Sequence, residues 1–316
     1  MSRDEIVRWW ASNFYNSLAR PAIPLFIMLT GALLLQSSKT DEPLKAFFRK
    51  RWRRIGLPFI FWGVAYFAWR FFVNGEALDG TSMVQGILTG PYTHFWYLYL
   101  LIGLYILTPV FRIVVAYSGR KLLRYFLVIW FVGTAIVPLV NLSEKYVLNA
   151  NVFLLTGWIG YFVLGAYLSQ VRWRTPILRL LLVLGYLWTI FGTYLLVATI
   201  GEQQSQFFYN SFSFNVIMGS VALFQLLSAV PMHAIVGRLS LVNRLVREIS
   251  QNTLPIYLFH VMVMETLQKG YLGFKISLTT MNPFLEIPLI TISTLFISLG
   301  IIMPLKKIPH FNRLIG

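Results

Sequence analysis

Nine long apolar stretches follow one another through the 316 residues, at roughly 18–36, 55–73, 95–112, 123–140, 152–168, 177–199, 212–230, 253–268 and 284–304. Each is about as long as an α-helix needs to cross a hydrocarbon core of about 30 Å. In that medium a backbone must satisfy its own hydrogen bonds, so only helices and closed barrels are possible. The runs are continuous rather than alternating, which excludes a barrel. The expected fold is therefore all-α, a polytopic transmembrane helical bundle of about nine spans. Charged residues make up 12% of the chain, against about 25% in a soluble domain. The connectors are short and contain no linker or internal repeat, so residues 1–316 read as one integral membrane domain. The chain has no cysteine, which excludes disulfides, thiolate metal sites and a thioester-forming nucleophile.

The net charge of +16 would suggest a nucleic-acid partner in a soluble protein. Here its placement decides otherwise. Alternate connectors and the C-terminal tail hold 20 of the 27 Lys and Arg residues, and the intervening connectors hold three. By the positive-inside rule the basic side is cytoplasmic. The C-terminus is then cytoplasmic, residue 1 lies outside, and the expected location is the cell (inner) membrane. The first segment, "MSRDEIVRWWASNFYNSLARP", has no apolar core that could serve as a signal. Its Trp9, Trp10, Phe14 and Tyr15 read as an interfacial aromatic belt. One further helix upstream would bring both ends to the cytoplasm.

Several polar residues stand out from this background. Arg49, Lys50, Arg51, Arg53 and Arg54 crowd the mouth of the second span. Such residues anchor helices on anionic lipid, and Arg forks also suit a phosphate-rich ligand. Arg51 and Arg54 are three apart and share a helix face. His94 and Trp96 open the third span, either as an interfacial anchor or as a group orienting a hydroxyl. His260 lies mid-span, where polar residues are costly and face a cavity or a partner. Glu265 is five residues further on and off the His260 face. Arg70, inside the second span, needs a partner; Glu265 and Glu286 are the candidates. Arg20 precedes two prolines at the start of the first span, where Thr30 and Gly31 would let another helix approach closely. His233 and His310 read as surface residues of basic segments.

"LARPAIPLFIMLTGALLL", "FRKRWRRIGLPFIFW", "HFWYLYLLIGLYILTP" and "ISQNTLPIYLFH" occur in that order. Together they resemble the membrane acyltransferase-3 family, most of all its members that O-acetylate or O-succinylate surface polysaccharides. The resemblance runs over essentially the whole chain. It implies ten spans, the first carrying an Arg and a catalytic His; that helix is absent here, and Gly31 would be its neighbour. It implies that Arg51 and Arg54 match the family's Arg-x-x-Arg and bind the donor acyl-CoA, acetyl-CoA foremost, as a co-substrate rather than a resident cofactor, with Arg49, Lys50 and Arg53 beside them. His260 and His94 become supporting catalytic residues, and Arg20, Trp96, Arg70 and Glu265 line the acceptor side or serve structure. The implied reaction is transfer of a short acyl group to a hydroxyl of a cell-surface glycan or lipid-linked sugar. No metal site is expected, and nucleic acid is not a partner. The rival readings are a polysaccharide or small-molecule exporter or transporter, and a truncated, inactive form.

Overall fold

The computed structural model describes residues 2–142, 157–201, 203–230, 240–273, 281–309 and 311–316. Lys145, His233, Arg238, Lys275, His310 and the start of the fifth apolar stretch lie outside the described residues. Those described form helices and turns, with no strand among them. In chain order the helices are α1 (Arg3–Ala19), α2 (Ala22–Leu34), α3 (Leu44–Arg51), α4 (Leu57–Phe72), α5 (Gly80–Thr89), α6 (Trp96–Tyr117), α7 (Arg120–Phe131), α8 (Val137–Asn141), α9 (Gly157–Leu168), α10 (Thr175–Leu187), α11 (Thr193–Thr199), α12 (Phe214–Ala229), α13 (Ser240–Gln251), α14 (Thr253–Lys269), α15 (Pro283–Leu305) and α16 (Phe311–Ile315). Single π-turns continue α3 into α4, α7 into α8 and α10 into α11.

Seven helical stretches are long and apolar enough to cross a membrane: Arg3–Leu34, Leu44–Phe72, Gly80–Tyr117, Arg120–Asn141, Thr175–Thr199, Gln206–Ala229 and Pro283–Leu305. The shorter apolar α9 and the 17-residue α14 occupy the two remaining stretches. The chain is thus an all-α, multi-pass membrane protein. By its contacts it divides into two compact units, Met1–Asp41 with Leu107–Pro231, and Glu42–Ile106 with Met232–Gly316.

The first unit is built on a close helix crossing with two backbone contacts. A Cβ on Gly31 would stand 1.8 Å from the Phe162 carbonyl oxygen, and one on Gly165 would stand 1.9 Å from that of Met28. Backbones therefore touch where α2 crosses α9, as small residues permit between membrane helices. The neighbour that Gly31 admits is α9, not a helix from upstream. The segment read as an interfacial aromatic belt forms helix α1, started by a capping box between Ser2 and Glu5. It joins the core through Asn13, whose Nδ2 donates to the Ile190 carbonyl at 3.0 Å and whose Oδ1 accepts from Tyr209 Oη at 2.7 Å. Arg112 is 2% exposed, and its guanidinium donates to the Leu34 and Lys39 carbonyls at 2.8 and 3.1 Å. It closes the C-terminal end of α2, where carbonyls lack intrahelical donors. This cation therefore has a structural task beyond topology.

In the second unit α14 and α15 pack as neighbours, and α4 lies against α14 and α16. Trp62 Nε1 donates to the Ile315 carbonyl at 3.2 Å, tying α16 to α4. The core gathers Trp62, Tyr66, Phe95, Leu98, Leu258, Met262 and Ile302. These come from α4, α14, α15, the turn before α6 and α6 itself. The same five segments hold Arg70, His94, Trp96, His260, Glu265 and Glu286.

Candidate functional site

His94 sits in the 3-10 turn Thr93–Phe95 that opens α6, and His260 in the middle of α14. They are 166 positions apart in sequence, yet their rings meet with centroids 5.5 Å apart at 69°. His94 is 8% exposed, and neither of its ring nitrogens is within hydrogen-bonding geometry of a partner among the described residues. Around it stand Tyr66, Tyr92 and Tyr257, at ring distances of 4.9, 6.0 and 5.6 Å. Two hydroxyls lock this cage to backbone: Tyr66 Oη donates to the Leu258 carbonyl at 2.8 Å and Tyr257 Oη to the His94 carbonyl at 2.5 Å. His260 Nδ1 lies 2.6 Å from the Tyr257 carbonyl. A carbonyl only accepts, so Nδ1 carries the proton and a neutral ring presents Nε2 as an acceptor.

Glu265 is held by three neighbours. Trp69 Nε1 donates to it at 2.8 Å, Tyr92 Oη donates to its other oxygen, and Lys269 Nζ lies 3.5 Å off. Tyr92 thereby links the carboxylate to the histidine cage. Neither expected partner of Arg70 is paired with it. Its Nε donates to Glu76 at 2.7 Å. The physical reason is the turn after α4. Gly75 takes a positive φ of 68°, and the Glu76 amide folds back onto the Arg70 carbonyl at 2.9 Å. That brings an acidic residue from the connector within reach, which no helix periodicity could indicate.

The basic cluster spans the end of α3 and the π-turn Trp52–Gly56. A π-turn widens the helix and often marks a functional position. Here it sets Arg54 further round from Arg51 than three residues of α-helix would. Arg51 lies over Phe47 and Tyr105, its Cζ 5.1 and 5.5 Å from the ring centroids. Arg49, Lys50, Arg53 and Arg54 are exposed, with Lys50 Nζ 2.7 Å from Glu42. One cation is thus pre-positioned by aromatic faces, Lys50 is paired with Glu42, and Arg49, Arg53 and Arg54 are exposed. Along the helix axis the cluster stands roughly 20 Å from Tyr66 and the histidine cage.

Trp96 is 40% exposed, while its neighbour Phe95 is fully buried in the core. Arg20 belongs to the first unit. Its Nη2 donates to Asn16 Oδ1 at 2.6 Å and its guanidinium covers the Tyr209 ring at 4.7 Å.

The sequence profile of the acyltransferase domain matches residues 3–303. The chain belongs to the acyltransferase-3 family. No curated protein and no solved structure gives a significant match. Membership makes this protein a membrane acyltransferase. Of the residues read from sequence, His94, His260 and Glu265 gather in the second unit with Arg70 near them, and the basic cluster lies at the opposite end of α4. The tyrosine cage was missed. Its signal was present, since Tyr92 and Tyr257 stand two and three residues before the two histidines.

Proposed function

We propose that this acyltransferase moves an acetyl or similar short acyl group from cytoplasmic acyl-CoA to a hydroxyl of a cell-surface glycan or lipid-linked sugar. The observation that carries the reading is the pairing of His94 with His260 inside the tyrosine cage. His260, its Nδ1 proton fixed on a backbone carbonyl, offers Nε2 to the attacking hydroxyl. The hydroxyl oxygen attacks the thioester carbon, its proton passes to Nε2, and the thiol of coenzyme A leaves with a proton. His94, buried beside it, orients the sugar. Arg51 and Arg54 hold the donor's phosphates at the Arg-rich end, with Arg49, Lys50 and Arg53 adding charge. General-base help of this kind contributes about 10²–10⁴-fold.

In this reading the Arg-rich side is cytoplasmic, because cations concentrate there. With no native cysteine, Ser38→Cys and Ala77→Cys are clean reporters. A membrane-impermeant maleimide should label the second and spare the first in intact cells. The deciding experiment is acetyl-CoA carrying a radiolabelled acetyl group, supplied to membranes that hold the chain. Label appearing on a sugar hydroxyl in a protein-dependent, His260-dependent way supports the reading. Glycan that accumulates unmodified inside cells lacking the protein would favour export instead.

A further inference from the structure

Helix α15 carries polar residues where it is most deeply buried. Glu286 and Ser298 are 0% exposed and Thr294 is 6% exposed. Neither carboxylate oxygen of Glu286, nor the hydroxyl of Thr294 or Ser298, has a hydrogen-bond partner among the described residues. Thr193 and Ser220 share this condition, but most helical hydroxyls among the described residues do not. Thr30, Thr134, Thr189, Thr199, Ser228, Thr266 and Thr291 all donate to the carbonyl four residues back. That is the usual way to satisfy Ser or Thr inside a helix. Thr291, one turn from Thr294 on the same helix, does so at 2.8 Å. Thr294 and Ser298 leave that bond unmade, although an unpaired buried polar group is costly in an apolar medium.

Thr294 and Ser298 are one turn apart, and Glu286 lies further round the helix. Steps of four residues lead from Glu286 through Ile290, Thr294 and Ser298 to Ile302, with a drift of about 40° per step. Ile302 is 0% exposed and packs in the core with Leu258 of α14 and Trp62 of α4. Ser298 therefore lies within about 40° of the face that meets the histidine-bearing helix, Thr294 within about 80°, and Glu286 much further round. Glu286 and Ser298 are about 18 Å apart along the axis. Thr294 and His260 stand at similar depths, about 16 and 14 Å from the ends of α15 and α14 that lie away from the Arg-rich side.

We propose that this face of α15 is the wall along which the amide-bearing pantetheine arm of the acyl-CoA lies, with Ser298 and Thr294 hydrogen-bonded to its amides. The inference rests on the acyl-CoA reading above and deepens it. A donor held by its phosphates at the Arg-rich end must carry its thioester inward to the depth of His260. The arm between has two amides and one hydroxyl, and each needs a partner once it leaves water. A serine and a threonine hydroxyl each donate and accept, so they match amides in either direction. Their spacing of one turn, about 6 Å, presents them in sequence to an extended chain. Arginines at the mouth give nothing to the arm, and an apolar wall would leave its amides unpaired.

The test is binding to the full chain in lipid nanodiscs, with coenzyme A, pantetheine, and the phosphorylated adenine nucleotide left when the arm is removed. Coenzyme A should bind more tightly than the arm-free nucleotide. Thr294→Val and Ser298→Ala should each weaken coenzyme A and pantetheine by about three- to tenfold and leave the arm-free nucleotide unchanged. Retained nucleotide binding also shows that the variant is folded. Arg54→Ala should weaken coenzyme A and the nucleotide but spare pantetheine. Equal affinity for coenzyme A and the arm-free nucleotide would overturn the arm track while leaving the phosphate site standing. Binding of neither would remove the acyl-CoA reading, and this inference with it. Unchanged coenzyme A affinity in both hydroxyl variants would likewise remove it.

Discussion

The imidazoles of His94 and His260 stand edge to face with centroids 5.5 Å apart, and the His260 ring is anchored through Nδ1 to the carbonyl of Tyr257. The two rings therefore have different environments. One is fixed in tautomer, with Nε2 left as an acceptor; the other has neither nitrogen within hydrogen-bonding geometry of a partner among the described residues. A fixed tautomer with an acceptor nitrogen is what a base requires.

His260→Gln keeps a polar side chain of similar reach but removes the basic nitrogen. Acyl transfer should fall by about 10²-fold or more, with the donor KM changed little. His94→Gln should raise the KM for the sugar acceptor more than it lowers kcat. Both are read as initial rates of acetyl transfer in membranes. If His260→Gln transferred at the wild-type rate, the proton acceptor would have to be another group.

The cations at the start of α4 divide by their surroundings. Arg51 is stacked on Phe47 and Tyr105, so Arg51→Lys should lose planar stacking while keeping charge, and raise the donor KM several-fold. Arg54 is exposed, and Arg54→Lys should be tolerated better than Arg54→Ala. Arg49→Ala, at the rim, should matter least. Donor KM measured at two salt concentrations checks the assignment, because exposed charges are screened more than sheltered ones. Equal effects of Arg49→Ala and Arg51→Ala would mean the cluster acts only as diffuse charge.

Gly31→Ala and Gly165→Ala place a methyl against a backbone carbonyl in the α2–α9 crossing. Backbone cannot swing aside as a side chain can, so each should destabilise by about 1–3 kcal/mol, read as a lower melting temperature in detergent. Gly103→Ala, whose Cβ meets nothing within 4 Å, is the matched control and should be neutral or mildly stabilising, by up to about 1 kcal/mol. Equal melting temperatures for all three would show that the crossing is looser than the carbonyl contacts indicate.

Much of this arrangement is legible in the sequence because a membrane imposes a length and a polarity on every span. Within the described residues, each of the nine apolar stretches corresponds to helix. Helix α1 was not legible, because Arg3, Asp4, Glu5, Arg8, Asn13 and Asn16 interrupt its apolar residues and leave no continuous run. Its burial depends on Asn13 finding Ile190 and Tyr209, which lie 177 and 196 residues away. The same reason hid the cage. Each histidine stood out singly as a polar group in an apolar run, but their pairing is a property of packing between α14 and the start of α6. Arg70 was misassigned because its partner comes from a glycine turn rather than from a span. The polar face of α15 was invisible for a subtler reason. Ser and Thr are unremarkable in a membrane helix, and only the missing backbone bonds of Thr294 and Ser298 separate them from Thr291.

Glu286 offers a prediction of opposite sign to the others. Its carboxyl is 0% exposed and has no partner among the described residues. Burying such a group without a partner works against folding. Glu286→Gln removes the possibility of charge while keeping size, and should raise the melting temperature in detergent by a few degrees, the shift expected from about 1 kcal/mol in a chain of this length. Sites kept unstable for function behave this way, gaining stability and losing activity together. Acyl transfer by Glu286→Gln should accordingly fall even as the protein becomes harder to melt. A lower melting temperature would instead show that the carboxylate holds the fold together through an ion pair, and Glu286 would then be a structural residue.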